Sequence, residues 1–159
     1  MNDGNHQSKQ LQHVIDVQVA SQAKDIPTET LFQQWVTTAL QDEDKSAEVC
    51  VRIVDEEEAA ELNSRWREKD GPTNVLSFPG DTHPDIEPRL LGDVIICAPV
   101  VAREADEQQK VAEHHWAHLV IHGTLHLLGY DHINEDDATI METRETRLLE
   151  SLKIKNPYN

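Results

Sequence analysis

His122-Gly123-Thr124-Leu125-His126-Leu127-Leu128-Gly129-Tyr130-Asp131-His132 spaces its histidines as H-x3-H-x2-G-x2-H. Residues four apart on a helix project from one face, about one turn apart, so His122 and His126 stand together. Gly129 falls where a helix is commonly stopped, because glycine takes the left-handed conformation without a Cβ clash. The chain can then fold back and present His132 beside the first two rings. Three neutral imidazoles meeting this way leave one corner of a tetrahedron open. That is the layout of a catalytic zinc site, with water in the fourth position. The expectation is one divalent ion per chain, Zn2+ before other metals, held by His122, His126 and His132 on a central helix.

The same segment carries His114, His115 and His118. The i,i+4 rule is also met by His114/His118 and His118/His122, but only His122/His126 is followed by a helix-ending glycine and a further histidine. The plainer alternative is a histidine-rich face bonded to backbone and water. His118, one turn before His122, and Asp131, beside His132, are expected to support the ligands from behind. His114 and His115 are expected to be ordinary, partly exposed residues.

The spacing is shared with metalloproteases, yet one residue differs. In H-E-x-x-H enzymes the residue after the first histidine is a glutamate acting as general base. Here it is Gly123, which has no side chain. Amide hydrolysis is therefore disfavoured, and water activated by a metal would attack some other bond.

With 159 residues the chain is expected to form one domain. Its two cysteines, Cys50 and Cys97, each sit in an apolar run and read as buried inert thiols. The expected ligands are thus nitrogens rather than thiolates. No run has the length of a membrane helix and no signal-peptide core is evident, so a soluble, cytoplasmic protein with no membrane partner is expected. The formal net charge is −16, from 14 basic and 30 acidic residues. Taken alone this argues against nucleic acid, since phosphates need local positive charge. The basic residues Arg65, Arg67 and Lys69 nevertheless cluster, and local charge governs binding.

Residues 1–10 are polar and aperiodic and read as a disordered tail, with the domain covering 11–159. Strands are expected at 14–19, 47–54, 75–78 and 90–98, from alternating or apolar runs. Helices are expected at 27–41 (Leu31, Trp35 and Leu40 inward), from Asp55 as cap to 67, from Pro99 to 108, at 111–128, and at 135–152. The last would turn Ile140, Met141, Leu148 and Leu149 inward. The fold class that follows is α/β (α+β): a single four-stranded mixed sheet packed with about five helices.

A second constellation runs from Leu62 to Pro79 and mixes cations with turn and strand residues: Arg65-Trp66-Arg67-Glu68-Lys69-Asp70-Gly71-Pro72-Thr73-Asn74-Val75-Leu76-Ser77-Phe78-Pro79. A guanidinium at a helix end can reach across a cleft and matches phosphate oxygens. Arg65 and Arg67 could equally be solvated residues pairing with Glu61 or Glu68.

The histidine segment, this Leu62–Pro79 stretch and Leu91-Gly92-Asp93-Val94-Ile95-Ile96 together resemble the YbeY family, bacterial metal-dependent endoribonucleases of ribosomal RNA maturation. The resemblance spans about residues 11–152. It implies His122, His126 and His132 as metal ligands and Arg67 as the arginine needed for RNA cleavage. Arg65 and Lys69 are further RNA-binding candidates. Trp66 stands where the family usually has tyrosine, and Asn74 where many members have aspartate. The implied activity is single-strand-specific endoribonuclease action in rRNA maturation, including processing of the 16S rRNA 3′ end, and in ribosome quality control. The implied partners are single-stranded RNA, rRNA and the small ribosomal subunit, with no DNA expected. Two rivals remain: a metalloprotease-like hydrolase, and a non-catalytic ribosome assembly factor with a structural metal.

Overall fold

Alternation of Val49, Val51 and Ile53 makes Ala47–Val54 (β2) an inner strand, buried at every second position. A computed structural model describes residues 11–67, 73–81, 85–131 and 134–158. Strand β1 (Val14–Ala20) pairs parallel with β2, Val17 opposite Val51. Strand β4 (Arg89–Cys97) pairs parallel on the other side, Val94 opposite Val51, and β3 (Val75–Pro79) lies antiparallel to β4. The sheet is four-stranded and mixed, in the order β1-β2-β4-β3, as the sequence implies. The expected tail, 1–10, lies outside the described residues.

Five helices accompany the strands among the described residues: α1 (Glu29–Ala39), α2 (Glu56–Arg67), α3 (Ala98–Glu107), α4 (Ala112–Leu127) and α5 (Glu135–Ser151). Their starts follow local chemistry. The Thr28 hydroxyl accepts from Leu31 N at 3.3 Å and the Asn134 side chain accepts from Asp137 N at 2.8 Å. Pro99 sits in the first turn of α3, where its missing N–H costs nothing. The carboxylate of Asp55, before α2, accepts from the Ser21 hydroxyl and the Gln22 amide, tying the end of β1 to the start of α2.

One core lies between the sheet and α1, α4 and α5, through Val49, Val51, Ile53, Val94 and Ile96. Phe32 meets Trp35 and Trp116 edge-on at 5.5 and 5.6 Å there. A smaller core on the opposite face joins Val54, Leu76, Ile95 and Cys97 to Ala59 of α2 and Val100 of α3. Each fully buried aliphatic or phenyl side chain contributes about 1.5–3 kcal/mol.

Helix α4 packs against α1, α3, α5, β3 and β4 at once, which makes it the central helix. Two inward stripes differ from expectation. Helix α1 buries Phe32, Trp35, Val36 and Ala39, and Leu40 is buried just past its end, while Leu31 is only half-buried. On α5, Ile140 is 58 % exposed and the buried positions are Met141, Glu145, Leu148 and Leu149. Steps of three and four residues back from Leu148 and Leu149 reach 145 and 141, so a helical period excludes 140.

Candidate metal centre

The end of α4 builds the site. Gly129 adopts φ +106. Gly129 N donates to His126 O at 3.0 Å and Tyr130 N to Leu125 O at 3.1 Å, the paired bonds of a glycine-terminated helix. The chain thereby reverses and brings Tyr130 and Asp131 to the rim of a cleft of ≈ 470 Å³. His122 and His126 from α4, Ser77 from β3 and Asn63 from α2 also line it.

His122 and His126 stand as their spacing requires, with ring centroids 4.6 Å apart and their Nε2 atoms 3.1 Å apart. His132 lies outside the described residues. Behind His122, its Nδ1 bonds to Oε2 of Glu145, a residue of α5 with no exposed surface. Glu145 Oε1 faces Nε2 of His118 at 3.3 Å and accepts from the Tyr158 hydroxyl. Burial pushes the Glu145 carboxyl up, but hydrogen bonds from His118 and His122 outweigh it and bring its pKa down to about 2. Glu145 is therefore an anion at neutral pH, and an anion accepts only. The Nδ1 of His122 must carry the proton, which leaves its Nε2 lone pair aimed at His126. A carboxylate fixing the tautomer of a ligand imidazole is the usual support of a protein metal site, so the residues fit a metal.

His118, His122 and Glu145 offer ligand atoms within 4.8 Å of one another and form a group that could hold an ion. That group lies behind His122, whereas the His122 and His126 Nε2 atoms meet in front of it. The oxygens of Glu145 are sealed and already engaged by His122, His118 and Tyr158, while His122 and His126 border the cleft. The cleft side is the open one.

Gly123 faces the sheet, not the cleft. A Cβ built there would sit 2.7 Å from Val94 Cγ1, 3.2 Å from Ser77 Oγ and 3.3 Å from Val75 Cγ2. The Ser77 hydroxyl donates to the Gly123 carbonyl at 3.0 Å and holds this close approach. A glutamate base of the metalloprotease kind has no room at 123.

The remaining expected residues divide. His118 meets the His122 ring edge-on, with centroids 6.0 Å apart, and shares the Glu145 carboxylate with it. His115, expected to be partly exposed, is 5 % exposed. Its Nε2 lies 2.9 Å from Glu104 Oε1, which also accepts from Asn74 Nδ2 at 3.0 Å. The i,i+3 and i,i+4 spacing of the histidines does not reveal this, because α3 supplies the partner. An aspartate at 74 would set a second carboxylate against Glu104; asparagine donates instead. Arg65 is exposed and pairs with Glu61 at 3.4 Å, a surface pair worth little. Arg67 closes α2; its side chain, with Lys69, lies outside the described residues. Of the arginines outside that cluster, Arg89 pairs with Glu43 and Arg103 with Glu56.

Sequence reasoning did not single out Glu145 or Asn63, which is 5 % exposed. A signal for Glu145 existed: an acid in the helical phase of Met141, Leu148 and Leu149.

Both cysteines are free. No helix among the described residues is long and apolar enough to cross a membrane.

The chain has known relatives. The family model described as Endoribonuclease YbeY matches residues 14–153. Endoribonuclease YbeY of Cellvibrio japonicus (strain Ueda107) is 51% identical over 146 residues, covering 91% of this chain and 82% of that protein. The solution structure of TM1509 from Thermotoga maritima superposes with a TM-score of 0.59 at 28% identity, covering 86% of this chain and 88% of that one.

Proposed function

This chain belongs to the YbeY endoribonuclease family, and from that premise we propose that it hydrolyses single-stranded RNA at one divalent ion, zinc, held by His122, His126 and His132. The observation that carries this reading is the meeting of two imidazole Nε2 atoms, 3.1 Å apart, at the wall of an open cleft, one of them fixed from behind by an ionised buried carboxylate. When bound, such an ion supplies Lewis acidity, polarising a phosphoryl oxygen and acidifying water.

The chain's own residues do the rest. Glu145 orients His122, with His118 bracing the carboxylate. Arg67, at the end of α2, is the group assigned to the charge that develops on the phosphate. Arg65 and Lys69 extend a small cationic margin for the strand, and Asp131 at the cleft rim would orient His132. So few cations on a chain of net charge −16 suit short exposed strands, not long duplexes. The biological substrate in this reading is ribosomal RNA, in 3′-end maturation of 16S rRNA and ribosome quality control beside the small subunit, in the cytoplasm.

The metalloprotease reading lacks its base, since position 123 faces the sheet. A purely structural metal is normally closed by four protein ligands, whereas this pair borders a cleft.

The test is cleavage of a labelled single-stranded oligoribonucleotide by purified protein, with a duplex control, chelator, and zinc restored. Cutting of the single strand alone, lost with chelator and regained with metal, is expected. Arg67→Ala should keep metal content and lose about 10²–10³ in rate. Cleavage indifferent to both chelator and Arg67→Ala would overturn the reading.

A further inference from the structure

Glu145 is a buried carboxylate with three hydrogen-bond partners, His118, His122 and Tyr158, and the last of them comes from outside the helices. The chain leaves α5 through Lys153 at φ 63, and Ile154 N bonds back to Leu149 O at 2.9 Å. Ile154 then joins the main core. Asn156 Oδ1 accepts from Tyr158 N at 2.8 Å, and the Tyr158 side chain, 43 % exposed, reaches back to α4 and α5. That ring stands edge-on to His118, with centroids 5.5 Å apart at 85°. Its hydroxyl donates to Glu145 Oε1 and lies 3.3 Å from His118 Nε2. Tyr158 falls beyond the stretch 14–153 matched to the family.

We propose that Tyr158 is a positioning residue of the metal centre, holding the Glu145 carboxylate in the plane that presents Oε2 to His122 Nδ1. The inference rests on the metal reading above. A carboxylate pivots about its last side-chain bond unless both oxygens are tied. Oε2 is tied by His122. Oε1 is tied by His118 at 3.3 Å and by the phenol, whose hydroxyl donates to it. Without the phenol, one of the two restraints on that oxygen goes and His122 is aimed less narrowly. The chain of contacts runs Tyr158, Glu145, His122, and it ends at the Nε2 atom beside His126.

The experiment titrates metal-free full-length protein with Zn2+ against a competing chelator, and with Co2+ followed by its visible absorption. Tyr158→Phe keeps the ring and its packing on His118, so the fold should stand. Removing a direct outer partner of a ligand costs about 10–100-fold in affinity, and Tyr158 is one bond further out, so a loss of about 3–10-fold is expected. The Co2+ spectrum of Tyr158→Phe should change in intensity, as a ligand-field effect of a less fixed His122. Glu145→Gln should abolish the effect: the double variant should bind no more weakly than Glu145→Gln alone. Asn156→Ala loosens the segment but keeps the hydroxyl, so it should cost less than Tyr158→Phe. Unchanged metal affinity in Tyr158→Phe, additivity with Glu145→Gln, or a larger loss in Asn156→Ala would each overturn the positioning role while leaving the metal site intact. If the wild type binds no metal, or keeps it after His122→Ala with His126→Ala, the metal reading itself falls and takes this inference with it.

Discussion

Nδ1 of His122 donates to Oε2 of Glu145 across the packed surfaces of α4 and α5, joining a residue that motif spacing singles out to one that it does not. Glu145→Gln keeps the volume but removes the charge that holds the His122 proton on Nδ1. Zinc affinity should fall about 10–100-fold. Glu145→Ala should in addition destabilise the fold, at about 1–3 kcal/mol for each buried donor left without a partner. Calorimetric titration with zinc and urea unfolding read the two effects separately. Undiminished affinity in Glu145→Gln would show that the carboxylate does not serve the metal.

Single alanine replacements of His122, His126 and His132 should each sharply reduce the metal carried by purified protein, measured by elemental analysis. His114→Ala should leave it near one ion per chain. Full occupancy after replacing both His122 and His126 would remove the assignment.

Gly123→Ala should destabilise the protein by about 1–3 kcal/mol through overpacking. Alanine favours a helix over glycine by about 1 kcal/mol, but Val94, Ser77 and Val75 crowd the new methyl from three sides. Denaturant unfolding decides the sign. A more stable variant would mean that β3 and β4 yield easily here.

His115 titrates below its ordinary 6.5 because it is buried, an effect the Glu104 hydrogen bond opposes only in part. Above pH 6.5 the ring is neutral folded or unfolded and adds no pH dependence. As pH falls below 6.5 the unfolded chain takes up a proton that the folded ring resists, so stability is lost in that window. His115→Asn should be less stable than the wild type at pH 7, and the gap should narrow by pH 5. A widening gap in urea melts would indicate a charged His115–Glu104 pair in the fold.

The Cys50 thiol is pushed up to about 11, by burial first and then by the carboxylates of Asp93 and Asp16. Only the thiolate reacts, so alkylation at pH 8 should run about 100-fold slower than for an ordinary thiol. Iodoacetamide labelling of native against urea-unfolded protein tests this. Fast native labelling at Cys50 would contradict the burial.

Much of this molecule is written locally. The alternation of Val49, Val51 and Ile53 sets a strand, and the four-residue step from His122 to His126 sets two rings on one face, because both periods are properties of the backbone alone. Gly129 marks the helix end for the same reason. Partners from distant segments are not written this way. Glu145 lies 23 positions from His122, and Glu104 lies 11 from His115. Only the packing of α5 and α3 onto α4 shows that one carboxylate serves a ligand and the other a buried neighbour. The same holds for Gly123: its missing side chain is visible in the sequence, but that a Cβ there would meet Val94 and Ser77 is decided by the sheet. Sequence by itself determined which residues share a face. Tertiary structure decided what each face meets, because burial and hydrogen-bond partners depend on where other segments come to lie.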